Sequence, residues 1–192
     1  MTTKIAVFAS GSGSNYQAIQ EAIEKGELDA QVVLVVTDRP GAYVTTRAQS
    51  FHVPVLEIAP KQFESKAQYE QAIVEALQSN EVEWVVLAGY MRLVGEVLLH
   101  AYANKIVNIH PSLLPSFPGK DAIGQAFEAG VKVTGVTVHY VDAGMDTGPI
   151  IAQAAIDVVE NDLQATEARI HAVEHVLYKQ TLQRLFKQSV SN

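Results

Sequence analysis

Two polar side chains that could act on a carbonyl group stand at the end of an apolar run near the middle of the chain. The stretch "KIVNIHPSLLPSFPG", residues 105–119, places Asn108 and His110 two positions apart. Side chains at this spacing on a β-strand point to the same face. Pro111 then ends strand pairing, and two further prolines stiffen the following loop. An amide beside an imidazole predicts a site that stabilises negative charge developing on an oxygen atom.

A second stretch offers the acid that such an imidazole needs. "YVDAGMDTGPI", residues 140–150, carries Asp142 and Asp146 in a turn with two glycines. It is also consistent with a plain hairpin turn, because Asp and Gly are common turn residues. Its spacing does not fit an EF-hand, which needs more oxygen ligands in a set order. An acid that reaches His110 would orient the ring and favour its charged form. Spacing alone does not choose between the two acids.

A Gly/Ser loop, "ASGSGSN" at residues 9–15, lies between a predicted strand and a predicted helix. Its glycines allow close backbone approach, and the free N–H groups of a helix N-terminus favour an anion. The alternatives are a tight turn in which Ser14 caps the helix, and a dinucleotide site with Asp38 on the ribose. Tyr16 stands where the third glycine of a dinucleotide motif belongs, which disfavours that second alternative.

A mostly apolar segment follows the fourth predicted strand. "LAGYMRLV", residues 87–94, contains Arg92 shortly after Gly89. It could wall a pocket for a flat aromatic ligand and offer backbone hydrogen bonds to its edges. It could equally be a surface loop with a solvated arginine.

"HAVEH", residues 171–175, fits the inverted zinc-peptidase pattern H-x-x-E-H on a predicted helix. Zinc would need a third protein ligand. The chain contains no acidic residue after His175 that could act as a downstream ligand. The sequence therefore predicts that no metal is bound here.

Composition sets broad bounds on the chain. Its 192 residues, 48% of them hydrophobic, predict one globular domain over residues 1–192. With no apolar run of membrane-spanning length and no secretory signal, we expect a cytoplasmic protein that binds no membrane. The absence of cysteine excludes disulfides, thiolate metal sites and a cysteine nucleophile. A net charge of −7 disfavours nucleic acid as a partner, because such surfaces need clustered Lys and Arg.

Strands and helices alternate along the chain, which predicts an α/β fold: a Rossmann-like, mostly parallel twisted sheet flanked by helices. The predicted strands, all apolar and rich in β-branched residues, are 4–10, 30–37, 53–58, 84–89 and 105–109. The predicted helices are 15–25, 42–51, 65–79, 122–129 and a long C-terminal helix over 163–187. Two strand-like runs within 132–159 flank the glycine-rich turn and are expected to pair antiparallel.

Five stretches together resemble the phosphoribosylglycinamide formyltransferases, a family of folate-dependent enzymes of purine synthesis. They are "GSGSN", "LAGYMRLV", "NIHPSLLPSFPG", "TGVTVHYVDAGMDTGPII" and the "EH" before Tyr178. The likeness runs through essentially the whole chain, in order and with matching spacing. An Asn, a His two residues later and an Asp about 36 residues after that form the signature of folate formyl transferases. The resemblance implies that Asn108, His110 and Asp146 are the catalytic residues.

The resemblance also implies two binding regions. The substrate nucleotide would lie in a part of about residues 1–100, and folate in a part of about residues 85–192. Residues implied for the nucleotide are Gly13, Ser14, Asn15, His171 and Glu174. Residues implied for folate are Lys66, Met91, Arg92, Leu93, Val94, Asn108, Val141, Asp142 and Asp146. Of these, Lys66 and Arg92 would face the glutamate carboxylates of the folate.

The implied reaction is formyl transfer from 10-formyltetrahydrofolate to the glycyl amine of 5-phosphoribosylglycinamide, without a metal or a covalent enzyme intermediate. Partners would be these small molecules only, and the protein would be a monomer or homodimer. Three alternatives stay open. A formyltetrahydrofolate hydrolase shares the signature but normally carries an extra N-terminal domain, and a methionyl-tRNA formyltransferase carries a basic C-terminal domain. A non-catalytic nucleotide-binding module would leave the Asn, His and Asp unused. The stretch "KDAIGQAF" departs from relatives that have histidines there.

Overall fold

A seven-stranded sheet forms the centre of the protein, with the strand order β3-β2-β1-β4-β5-β6-β7. The structure is a computed structural model that describes the backbone of residues 2–190 and the side chains of residues 2–188. The strands are β1 Thr3–Phe8, β2 Ala30–Thr37, β3 Val55–Glu57, β4 Trp84–Leu87, β5 Ile106–His110, β6 Val133–Tyr140 and β7 Ile150–Asp157. The first five pair in parallel, whereas β6 and β7 join antiparallel. The predicted fold class is confirmed.

Helices cover both faces of this sheet. They are α1 Ser14–Glu24, α2 Tyr43–Ser50, α3 Lys66–Ser79, α4 Glu96–Ala101, α5 Ala122–Glu128 and α6 Leu163–Val190, with a 3₁₀ turn at Pro60–Gln62. Five of these helices match the sequence predictions closely at their N-termini. The exceptions are α4 and the 3₁₀ turn, which the sequence pattern did not predict.

The short helix α4 begins where a carboxylate from another helix meets it. Glu70 of α3, which is buried, accepts hydrogen bonds from the backbone N–H of Gly95 at 2.5 Å and of Leu98 at 3.2 Å. This capping satisfies N–H groups that a helix N-terminus leaves unpaired. The carboxylate lies 25 positions earlier in the chain, so no local motif announces it.

Alternating side chains of the central strand pack into two apolar layers. Ile5 and Val7 face a layer that α1, α2 and α6 complete, while Ala6 and Phe8 face a layer completed by α3 and α4. A strand buried on both faces reads as a continuous apolar run, as predicted. Among residues 2–190, no helix combines the length and apolar character needed to cross a bilayer.

The strand order determines where polar loops meet. Because β1, β4 and β5 are neighbours in the sheet and run in parallel, the loops after their carboxyl ends lie side by side. Tyr178 of α6 contacts two strands of the sheet near these loops. Its hydroxyl donates to the carbonyl of Leu87 at 2.7 Å and lies 3.2 Å from that of Val107.

Candidate active site

A cavity of about 790 Å³ opens at the carboxyl ends of these strands. Most of the residues singled out in the sequence line it. They are Gly13, Ser14, Asn15, Met91, Arg92, Leu93, Val94, Asn108, His110, Val141, Asp146, His171 and Glu174. Lys66 and Asp142 are not among its lining residues. The Gly/Ser loop, the apolar segment and the turn with two acids therefore face one shared space.

His110 ends β5 with its ring held from both sides. Its Nε2 lies 2.9 Å from the carbonyl oxygen of Phe117, and only a protonated nitrogen can bond to that oxygen. The other ring nitrogen, Nδ1, lies 3.6 Å from Oδ2 of Asp146. This second contact is attractive when Nδ1 also carries a proton. The His110 and Asp146 side chains are only 7% and 13% exposed, so water screens the pair weakly.

Asp146 reaches this position from the turn between β6 and β7. Its backbone adopts a left-handed conformation, with a φ of 55°. Its Oδ2 accepts a hydrogen bond from the N–H of Gly119 at 2.8 Å. Phe117 and Gly119 both belong to the loop of residues 111–119, the proline-rich loop. That loop therefore holds both the carboxylate and the imidazole.

Asp142, the other acid of the turn, bonds within the turn itself. Its Oδ1 accepts from the N–H of Gly144 at 3.0 Å and from the Thr147 hydroxyl at 2.6 Å. Gly148 completes the turn, because a Cβ there would overlap the carbonyl oxygen of Tyr140. Asp142 therefore shapes the turn that presents Asp146, and its predicted contact with folate stays a prediction.

His139 is a member of the site that sequence reasoning missed. It pairs with Asn108 across β5 and β6, and its Nε2 lies 3.3 Å from the Asn108 amide nitrogen. Its Nδ1 lies 2.8 Å from the carbonyl of Tyr140, so Nδ1 is the donor and Nε2 accepts from Asn108. Burial lowers the pKa of His139, against the opposing effects of that carbonyl and of Asp146. One Asn108 N–H is thereby fixed, and the other stays available to a ligand. The available signal was a histidine near the end of the strand-like run that precedes the glycine-rich turn.

A buried hydroxyl anchors the proline-rich loop to the sheet. Thr137 Oγ1 on β6 donates to the carbonyl of Ser112 at 2.7 Å and accepts from the N–H of Leu114 at 3.0 Å. It also accepts from the amide of Gln153 on β7, at 3.0 Å. Ser112 in turn donates to the carbonyl of Ser116 at 2.6 Å. The loop that holds His110 and Asp146 is therefore tied to both antiparallel strands.

The opposite end of the cavity is the N-terminus of α1. Gly13 is the N-cap residue, with a φ of 74°, and it has no side chain with which to cap the helix. The alternative in which Ser14 caps the helix is therefore wrong. The first N–H groups of α1 have no partner within the helix. The dinucleotide alternative also loses its acid, because Asp38 is buried and accepts from the Ser10 hydroxyl at 2.5 Å.

Helix α6 forms a polar wall. His171 Nδ1 lies 2.8 Å from Oε2 of buried Glu174, and this hydrogen bond raises the pKa of His171. Glu167, which the sequence analysis did not select, lines the cavity one turn earlier. For His175 the largest effect is burial, which lowers its pKa. Within residues 2–190, no group of three or more His, Asp and Glu is placed to hold a metal ion.

Apolar side chains and one cation mark the remaining wall. Met91 and Leu93 line the cavity and are 56% and 47% exposed. The guanidinium of Arg92 lies over the ring of Tyr69, 5.7 Å from its centroid. Lys66 lies beside Gly95, just beyond this segment. The arrangement fits a flat ligand whose outer end carries negative charge.

Known proteins are similar to this chain in sequence and in fold. The model of the formyl transferase family matches residues 3–182. The chain is 57% identical over 183 residues to phosphoribosylglycinamide formyltransferase of Bacillus subtilis (strain 168), covering 95% of this chain and 94% of that protein. The crystal structure of phosphoribosylglycinamide formyltransferase from Bacillus halodurans matches with a TM-score of 0.94 at 53% identity, covering 97% of each chain. That of glycinamide ribonucleotide transformylase 1 from Geobacillus kaustophilus matches with a TM-score of 0.93 at 56% identity, covering 96% of this chain and 99% of that one. The chain belongs to the formyl transferase family.

Proposed function

We propose that this chain transfers the formyl group of 10-formyltetrahydrofolate to the glycyl amine of 5-phosphoribosylglycinamide, a step of purine biosynthesis. Relatives that match nearly its whole length are named for this activity. The observation that carries the proposal is the meeting of Asn108, His110 and Asp146 in one cavity that also contains the N-terminus of α1.

We assign each part of the two substrates to a region of this cavity. The phosphate would lie at Gly13, Ser14 and Asn15, where backbone N–H groups and the helix dipole attract an anion although the protein is acidic. Glu174 and His171 on α6 would accept and donate hydrogen bonds to the ribose hydroxyls. The glycyl amine would then extend towards His110.

The folate would occupy the other half of the cavity. Its flat ring system would lie along the segment from Met91 to Val94 and against Val141. Arg92 and Lys66 would attract its glutamate carboxylates. Asp142, in the turn between β6 and β7, would also contact the folate. Lysine offers a carboxylate one point of contact, whereas arginine can bind it with two parallel hydrogen bonds.

The orientation of the side chains supports a catalytic role for each of them. The amine nitrogen bonds to the formyl carbon, and the bond from that carbon to N10 of the folate breaks. Negative charge develops on the formyl oxygen, where the free N–H of Asn108 and a protonated Nδ1 of His110 would donate. Asp146 would stabilise the charged imidazole. The attacking amine also loses a proton. Asp146 would pass this proton, through a water molecule, to N10 of the folate.

Several further properties belong to the same proposal. The chain acts as one unit over residues 1–192, with its nucleotide part at about 1–100 and its folate part at about 85–192. It works in the cytoplasm as a monomer or homodimer, on small molecules, without a metal ion.

The experiment that tests the reaction follows folate absorbance after the protein is mixed with the formyl donor, with and without the amine substrate. The proposal requires release of tetrahydrofolate only when the amine is present. Equal release without the amine would identify a hydrolase instead. No release under either condition would indicate a binding protein.

A further inference from the structure

Helix α2 donates hydrogen bonds to two consecutive backbone carbonyl groups of the Gly/Ser loop. The N–H of Val44 donates to the carbonyl of Gly11 at 3.1 Å. The Nε of Arg47 donates to the carbonyl of Ser12 at 2.7 Å. A second guanidinium nitrogen of Arg47, Nη1, donates to the side-chain oxygen of Gln17 on α1. Arg47 therefore joins α2, the loop and α1.

These contacts determine which side of the loop faces the cavity. Both bonded carbonyl oxygens are directed to α2 and are thereby withdrawn from an anion at the start of α1. Gly13 follows in a left-handed conformation, and a Cβ added there would lie 2.6 Å from the nearest methyl carbon of Val44. Successive N–H groups on the free side of such a backbone form an anion-binding concavity.

Arg47 also contributes charge without entering the cavity. It is not among the residues that line the cavity within the described part of the chain, so it acts through the loop. Its cationic guanidinium is held 4.9 Å above the centre of the Tyr43 ring. The acids Glu167 and Glu174 line the same cavity. A fixed cation behind the loop offsets their repulsion of a phosphate.

We propose that Arg47 is a positioning residue for the phosphate group of the amine substrate. It holds the Ser12 peptide so that its carbonyl is turned away, and it adds positive charge behind the N–H groups that bind the phosphate. The inference rests on the proposed function for the identity of the substrate. The predicted preference for a phosphate at this loop does not depend on formyl transfer.

The test compares Arg47→Gln with Arg47→Lys, which keeps the charge but loses the two-point contact. Lys25→Gln is the control, since Lys25 is at the opposite end of α1 and its removal changes the net charge equally. For Arg47→Gln we expect the KM of the phosphorylated amine to rise about tenfold, since a hydrogen bond from a charged donor is lost. The kcat and the KM of the formyl donor should stay within about twofold, because uniform binding alone is weakened.

Calorimetric titration with inorganic phosphate supplies a readout independent of catalysis. Its Kd should rise in Arg47→Gln by a factor similar to that of the KM, rise less in Arg47→Lys, and stay unchanged in Lys25→Gln. An unchanged phosphate Kd in folded Arg47→Gln overturns the inference, as does a fall in kcat with an unchanged KM. If Arg47→Gln does not fold, an unchanged Kd in Arg47→Lys overturns it. A wild-type protein that lacks transfer activity but shows the Arg47-dependent phosphate Kd would refute the proposed function and leave this inference standing.

Discussion

His110 and Asp146 are joined both directly and through one loop. The direct contact places Nδ1 of the ring 3.6 Å from the carboxylate. The indirect one runs through the proline-rich loop, whose Phe117 carbonyl binds Nε2 and whose Gly119 amide binds the same carboxylate oxygen. Because the loop occupies Nε2, the ring nitrogen that faces the carboxylate is Nδ1. The loop and the direct contact therefore hold the ring and the carboxylate in one arrangement.

Asp146→Asn removes the charge and keeps the shape of the side chain. We expect kcat to fall by about 10² to 10³, the usual effect of weakening one donor to a developing oxyanion. The affinity for the nucleotide should be retained, because the phosphate end of the cavity is unchanged. Steady-state kinetics and nucleotide titration measure both. Asp157→Asn, an exposed acid at the end of β7, is the matched control.

The same pair allows a sharper test by double substitution. If Asp146 acts through His110, then His110→Ala with Asp146→Asn should be little worse than His110→Ala alone. Independent, multiplying losses would contradict the coupling. Near-normal turnover in either folded single variant would contradict the catalytic assignment itself.

Thr137→Val should loosen the loop that holds both groups. The substitution keeps the volume but removes a buried hydroxyl, leaving the Ser112 carbonyl and the Leu114 N–H without their partner. We expect a loss of about 1–3 kcal/mol of unfolding free energy, measured by urea denaturation, together with a lower kcat. Thr137→Ser keeps the hydroxyl and should restore most of both. A Thr137→Val protein with wild-type stability and kcat would show that the loop is held by other contacts.

Two buried tyrosines allow a comparison of how a bonded and an unbonded hydroxyl affect the free energy of unfolding. Tyr178 is 1% exposed and its hydroxyl contacts two strand carbonyls, whereas Tyr16 is 0% exposed and its hydroxyl meets no partner within the described residues. Tyr178→Phe should cost about 1–3 kcal/mol of unfolding free energy. Tyr16→Phe should be neutral or stabilising, because it removes a buried polar group that gains nothing on folding. Equal losses in thermal unfolding would contradict this explanation.

His139 should make the protein less stable in mild acid. Burial lowers its pKa below the ordinary 6.5, so protonation is easier in the unfolded chain. Its contribution is fully present above pH 6.5 and is lost as the pH falls from there through the lowered folded pKa. His139→Gln should therefore flatten the dependence of the urea midpoint on pH between about 7.5 and 5.5. A slope equal to that of the wild type would assign the effect to other groups, of which His175 has the same sign.

Glu174→Gln should shift the titration of its neighbour. The hydrogen bond to Glu174 is the largest cause that raises the pKa of His171, so its replacement by a neutral amide should lower that pKa. A proton NMR titration of the His171 ring measures the midpoint, and the resonance of exposed His52 serves as the control. The KM for the nucleotide should rise as well, because Glu174 would accept from the ribose. An unmoved His171 midpoint would contradict the observed pairing.

In wild-type protein the same pair has the opposite pH dependence to His139. A raised pKa means that the stabilisation by protonated His171 is complete below pH 6.5 and is lost as the pH rises through its folded value. The His171 side chain is about half exposed, so solvent screening limits the effect on stability.

Most of the fold was accessible from local pattern. β2 was predicted with its observed bounds, and α3 within one residue, since apolar runs and helical spacing are local properties of the chain. Helix α4 was missed because Glu70, far away in sequence, caps it. The strand order was likewise not predicted, since the pattern identifies strands but not their neighbours.

For the candidate site, residue types and spacing were sufficient to select Asn108, His110 and the turn with two acids. They did not separate Asp142 from Asp146, because both stand in one turn and only the hydrogen bonds within it show that Asp142 is already engaged. His139 escaped notice because its role depends on pairing with Asn108 across two strands. Residue types and their spacing are local properties of the sequence. Register and strand order depend on contacts between distant segments, which form only when the sheet assembles.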